Sequence, residues 1–255
     1  MHRRIAAVLG VLAVAAVAAA PASANHAWGN YHWARTANPF TLTVVDSNTP
    51  DWDDNLGKAM ADWGKSTVLD LRLGAADDAM KTRKRCPMVS GMIRSCNASY
   101  GYNGWLGLAT INVTGGTHIT QASTKMNDSY LSSPSYSETN RQHVMCQETG
   151  HDFGLDHQDE SGADLNTCMD YSSALDNPTP NQHDYDELVT IYSHLDSTTT
   201  VAGAATLTTA ADRGEQPVAV DRVDRLDSSV VTEHFADGSR RITHILWAIG
   251  GPGTP

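Results

Sequence analysis

The sequence predicts an α+β fold built on a twisted mixed sheet, and three observations carry that prediction. Short runs rich in β-branched residues recur through the first half of the chain, as in Phe40–Asp46, F-T-L-T-V-V-D. Other segments place apolar residues at helical spacing, as at Trp52, Leu56, Ala59, Met60 and Trp63. Finally, Gln147–His157 reads Q-E-T-G-H-D-F-G-L-D-H, with metal-ligating residue types one helical turn apart and a glycine to end the turn.

The elements follow in order. Residues 1–24 read as a signal peptide: Arg3 and Arg4, an apolar run over Ile5–Ala20, then Ala22-Ser23-Ala24 as a cleavage signal. Asn25–Pro39 is aromatic and irregular. The first strand is Phe40–Asp46, and Thr49-Pro50-Asp51 starts a helix that Gly64 ends. Val68–Leu73 alternates as a second strand. Gly74–Arg85, with its run Arg83-Lys84-Arg85, reads as a solvated loop; a processing site is the sharper alternative. Met88–Arg94 is a short third strand. Trp105–Val113 and Ile119–Met126 are two more, reversed through Gly115-Gly116.

A helix is expected from about Tyr136 to Phe153, with Ser135 and Glu138 as its capping box. It is largely enclosed, and Gly150 marks a close approach by a neighbouring segment. Asn166–Ser173 is a polar turn around Met169. Asp184–His194 is a further helix, with acids in its first turn. Residues 198–255 read as a Thr/Ala-rich linker and a β-hairpin, since alternating runs flank Asp237-Gly238. A lone hairpin is marginal in water, so this one must pack on something.

Charge and cysteines bound the function. The net charge of −11 becomes −13 without Arg3 and Arg4, which argues against nucleic acid and anionic membranes as partners. Export to an oxidising compartment favours two disulfides among Cys86, Cys96, Cys146 and Cys168. Three pairings exist; the sequence-local one is Cys86–Cys96, which leaves Cys146–Cys168. A Cys/His zinc cluster is the poorer alternative, because no two cysteines have the short ligand spacing.

The pattern Glu148-x-x-His151-x-x-Gly154-x-x-His157, followed by Met169, resembles the metzincin zinc endopeptidases, in layout nearest the matrixin-like bacterial members. The resemblance covers most of Tyr31–Leu195 and not the hairpin. It implies a metallopeptidase domain over 25–197, with an active-site helix, a methionine turn and a closing C-terminal helix. It implies one catalytic zinc ion held by His151 and His157, with Gln147 where the family has its first histidine. Gln147 is a weaker, harder donor for zinc, so lowered affinity is expected. Glu148 is implied as the general base toward a metal-activated water, and Met169 as the floor under the metal. Tyr171 is implied to ligate the metal or steady an oxyanion.

The resemblance also implies an extended peptide substrate along an edge strand at Trp105, Leu106, Gly107, Leu108 and Ala109. A secreted, monomeric endopeptidase is therefore expected, with no membrane contact after signal cleavage; nothing in the sequence speaks to calcium. The alternative is a secreted binding protein that kept the scaffold and lost turnover. Gln147 favours that alternative and Glu148 opposes it. His143 lies about 12 Å along the helix from His151, too far to share one ion. His118, His183 and His194 have no motif around them and read as structural or exposed.

Overall fold

A computed structural model describes residues 26–159, 161–171, 174–202 and 216–249; the expected signal peptide and most of the Thr/Ala linker lie outside them. The chain runs β1 (His32–Trp33), β2 (Phe40–Ser47), a 3-10 turn at Pro50–Trp52, α1 (Asp53–Trp63), β3 (Leu69–Leu73), α2 (Met80–Arg85) and β4 (Ile93–Ala98). It continues with β5 (Trp105–Thr114), β6 (His118–Asn127), α3 (Asp128–Leu131), α4 (Glu138–His151), α5 (Gln182–Ile191), β7 (Ala219–Asp224), β8 (Ser228–His234) and β9 (Arg240–Trp247). One mixed sheet with a few helices results, so the α+β expectation holds at that level.

The sheet has nine strands in the order β3-β2-β4-β6-β5-β9-β8-β7, with β1 attached alongside β6. β3, β2, β4 and β6 run parallel to one another. β5 reverses direction against β6, and β9, β8 and β7 extend the sheet as an antiparallel meander. Inside the parallel set Ile93–Ala98 is buried at every position, whereas the edge strand β3 exposes its last two residues. The core joins both sequence halves: Trp33, Trp52, Trp63, Phe153 and Tyr192 are all enclosed in one cluster. Trp63 Nε1 donates to the Cys146 carbonyl at 3.0 Å, which docks α1 against α4.

Several local expectations need correction. The stretch expected to be a solvated loop holds α2, whose Arg83 side chain donates to the Asp78 and Asn97 carbonyls. Its Arg-Lys-Arg run is the last turn of that helix, where cations meet the negative end of the helix dipole. The strand expected at Met88–Arg94 lies further on, at Ile93–Ala98, and runs through Cys96. The last helix begins at Gln182, capped by Asn181 and Asp184, and stops at Ile191. β7 was not foreseen, because all six of its residues are exposed and carry no burial alternation.

Both sequence-local disulfides are present: Cys86–Cys96 and Cys146–Cys168, and no cysteine is free. Disulfides of this kind persist in oxidising compartments. Among the described residues, no helix is long and apolar enough to cross a membrane.

Candidate metal centre

The site is built on α4. Its N-terminus is set by Ser137, not Ser135: the Ser137 hydroxyl accepts from the Asn140 amide, and Asn140 Oδ1 accepts from the Ser137 amide. Glu138 is thereby the first helical residue rather than the reciprocal cap. From Gln142 to His151 every residue is buried, so the helix is enclosed as expected. Gly150 explains its own presence, since a Cβ there would sit 2.5 Å from Met169 Sδ and 2.8 Å from Trp63. The turn around Met169 therefore packs directly against α4. Gly154, at φ +94°, turns the chain out of the helix. Leu155 then bridges Ala27, and the Gln158 amide donates to the Met169 carbonyl at 2.8 Å. Those ties return His157 to the face of His151.

Three imidazoles converge there: His151, His157 and, from β9, His244. Their candidate ligand atoms lie within 4.8 Å of one another. Ring centroids are 5.0 Å apart for His151 and His157, 4.0 Å for His151 and His244, and 5.0 Å for His157 and His244. All three are buried. His151 Nδ1 pairs with the Leu155 carbonyl at 2.8 Å, which turns its Nε2 toward the cluster. His244 Nδ1 meets Glu148 Oε2 at 3.3 Å and leaves its Nε2 inward as well. A partner on one ring nitrogen that frees the other for a metal is the usual support of a histidine ligand. Nε2 of His151 and His244, and both ring nitrogens of His157, have no hydrogen-bond partner.

Burial sets the protonation of this cluster. It pushes the imidazoles of His151 and His244 down to about 3, and that of His157 well below the usual histidine range. All three are neutral near pH 7, the form that ligates. The donor set suits zinc, whose hydrolytic centres take three protein ligands and keep a fourth position open. Burial also pushes the Glu148 carboxyl up to about 8, while His151 and the Ala109 amide pull it down. Gly107 leaves room for that carboxyl: a Cβ there would stand 2.6 Å from Glu148 Oε1.

The other expected residues surround the cluster in different roles. Gln147 is buried, its amide nitrogen donates to the Asp170 carbonyl at 3.3 Å, and its Oε1 has no hydrogen-bond partner. His143 sits one turn earlier, its Nε2 3.5 Å from Gln147 Nε2, as a packing neighbour. Tyr171 lays its ring 3.8 Å from that of His157, but its hydroxyl is bonded to Arg225, at the turn between β7 and β8. Arg225 also pairs with Asp156 at 3.2 Å.

The expected free edge at Trp105–Ala109 is not free. β9 runs antiparallel along it, with Ala109 opposite His244 and Thr110 opposite Thr243. The edge is covered because β9 offers the period-2 pattern of a half-buried strand, with Ile242, His244 and Leu246 turned inward. Sequence reasoning missed His244 for this reason: it lies 87 positions beyond His157, in a segment outside the motif. One signal was available, since T-H-I-L puts a histidine on the apolar face of a predicted strand. His118 and His194, expected to be structural or exposed, also form a cluster, with His32 and Asp196.

No protein-family model matches this chain, and no curated protein matches it.

Proposed function

We propose that the chain is a secreted zinc endopeptidase, of the type its motif resembles, held latent by its own C-terminal strand. The observation that carries this reading is the convergence of three buried, neutral imidazoles beside Glu148, each with a ring nitrogen that makes no hydrogen bond. Zinc bound there would supply a Lewis acid and a water acidic enough to be a nucleophile near neutral pH. Glu148 is one residue from Gln147 and three from His151, the position from which the carboxylate of such motifs takes a proton. With the C-terminal strand in place Glu148 is shielded and protonated near pH 7, and its Oε2 faces His244. It becomes a base only when water enters.

The peptide-binding edge expected along β5 carries main-chain hydrogen-bonding groups, the chemistry that holds an extended substrate. β9 meets those groups in the meantime. Displacing β9 would open that edge, rehydrate Glu148 and withdraw His244, leaving His151, His157 and the Gln147 amide oxygen toward the ion.

The second reading is a zinc-binding protein without turnover, and a specific observation favours it: the third imidazole comes from the strand that fills the cleft. One experiment separates the two. A specific protease site placed between 203 and 215 lets the hairpin be cut loose after folding. The peptidase reading expects no cleavage of a mixed peptide library by the intact chain with zinc. It expects cleavage after the cut, abolished by Glu148→Gln. If the cut protein cleaves nothing while its Gln147→His counterpart does, the natural chain is the binder.

A further inference from the structure

A second group of nitrogen and oxygen donors lies away from α4, where the N-terminal segment, the start of β6 and the chain after α5 meet. His32 belongs to β1, which pairs with β6 at His118. His194 and Asp196 follow α5, and the Asp196 amide donates to the Arg35 carbonyl at 2.9 Å. Donor atoms of His32, His118 and Asp196 lie within 4.8 Å of one another, and His194 brings its Nε2 up beside those of His32 and Asp196. His194 Nε2 is 3.2 Å from His32 Nε2. Asp196 Oδ1 is 3.3 Å from His118 Nε2, 3.6 Å from His32 Nε2 and 3.8 Å from His194 Nε2.

Those separations have a geometric meaning. Ligands about 2.0–2.1 Å from a tetrahedral zinc ion stand about 3.4 Å from one another, because a tetrahedron's edge is about 1.6 times its centre-to-corner length. The four measured separations bracket that value. The surroundings orient the donors as a metal requires. His32 Nδ1 pairs with the Asn30 carbonyl at 3.0 Å, which leaves Nε2 as its lone-pair atom. Asp196 Oδ2 is taken by Arg35, through its backbone amide at 3.1 Å and its guanidinium at 3.0 Å, so Oδ1 is the oxygen turned to the histidines. Arg35 is itself buried. Asp196 Oδ1 can accept from more than one N–H, but two imidazole Nε2 atoms facing each other beside a carboxylate are also a set that one cation binds together. Three imidazoles with one carboxylate suit zinc rather than calcium or magnesium, which take oxygen ligands.

We propose that His32, His118, His194 and Asp196 form a second, structural zinc site. It has no open position for chemistry. It clasps the start of the chain and the segment after α5 onto the sheet, and it is independent of the centre on α4.

Native mass spectrometry of the full chain tests this, after stripping with a chelator and dialysis against zinc sulfate. The expected count is two zinc ions per chain for the wild type and one for the double variant His118→Asn/His194→Asn. Both side chains are partly exposed, at 31 % and 51 %, so the fold tolerates the change. The single variant His194→Asn is the fallback should the double variant fail to fold. His151→Asn/His157→Asn should also bind one ion, and Co²⁺ in that variant should give the intense visible bands of four-coordinate cobalt. A folded His118→Asn/His194→Asn variant that keeps the wild-type zinc count overturns the proposal. A wild type with one ion that survives His151→Asn/His157→Asn supports this site and instead defeats the centre on α4.

Discussion

Replacing His244 with alanine removes one of three imidazoles from the centre on α4, and the size of the loss can be worked out beforehand. Four-ligand zinc sites in small domains bind with apparent free energies of about 10–16 kcal/mol at neutral pH. Shared among four ligands, that is about 2.5–4 kcal/mol each, or roughly 10²–10³-fold in affinity at about 1.4 kcal/mol per decade. Burial adds to the loss, because His151 and His157 keep buried ring nitrogens without partners. The assay is competition with a chromophoric chelator at pH 7, in the His118→Asn/His194→Asn background so that only one site is counted. Gln147→Ala is the control. Its amide nitrogen bonds the Asp170 carbonyl and no histidine ligand, so affinity should stay within about tenfold, below the usual effect of groups that orient ligands. The reverse pattern, with His244→Ala binding zinc as tightly as its parent and Gln147→Ala losing the ion, would show that the α4 motif holds the metal without the C-terminal strand.

Three further outcomes follow from the same structure. Gly150→Ala sets a Cβ against Met169 Sδ and Trp63; overpacking of about 1–3 kcal/mol exceeds the gain of about 1 kcal/mol in helix propensity. The melting temperature should fall by several degrees, and a rise would mean that the methionine turn is not seated under α4. Replacing both Cys146 and Cys168 with alanine opens a cross-link of sequence separation 22. It should cost about 3 kcal/mol by chain entropy, read from urea unfolding; an unchanged midpoint would count against a bridge that cross-links the folded chain.

The metal-free protein should also show a stability optimum in pH. His143, His151 and His244 are pushed down by burial to about 4, 3 and 3, so the unfolded chain binds more protons below 6.5 and stability falls as pH drops toward 3. Glu148 is pushed up from 4.5 to about 8, so the folded chain binds more protons in that window and stability falls as pH rises through it. Well above 6.5 the carboxyl decides the slope, and below 6.5 the three histidines outweigh it. Three imidazoles against one carboxyl balance just above the unperturbed histidine value, so the optimum set by these groups lies at about 6.5–7. Scanning fluorimetry after chelator treatment reads it directly, and a profile that rises to a plateau and does not fall between pH 7 and 8 would mean that Glu148 is solvated.

What the sequence determined by itself is local. The helix carrying Glu148 and His151, the stop at Gly154, the reversal between β5 and β6 and the hairpin around Asp237-Gly238 were legible, because each depends on residues close together in the chain; of three possible disulfide pairings the structure selects the sequence-local one. Even Gly150 was legible as a point of close approach, since a glycine within a helix asks for a packing reason. The misplaced helix cap shows the limit of this: Ser135 and Ser137 both precede acidic or amide partners, and only the turn actually formed selects Ser137.

Tertiary structure decided the rest. A hairpin pattern states that two strands pair, not which third strand they join, so the docking of β9 onto β5 could not be read from Val230–Ala248 alone. That one pairing covers the expected substrate edge, carries His244 to His151 and His157, and turns Glu148 from an open carboxylate into a buried one. His32, His118, His194 and Asp196 likewise meet across distances in sequence that no spacing rule spans. Side chains distant in sequence gather by position in space, and in this chain that position is set by which sheet edge each strand takes.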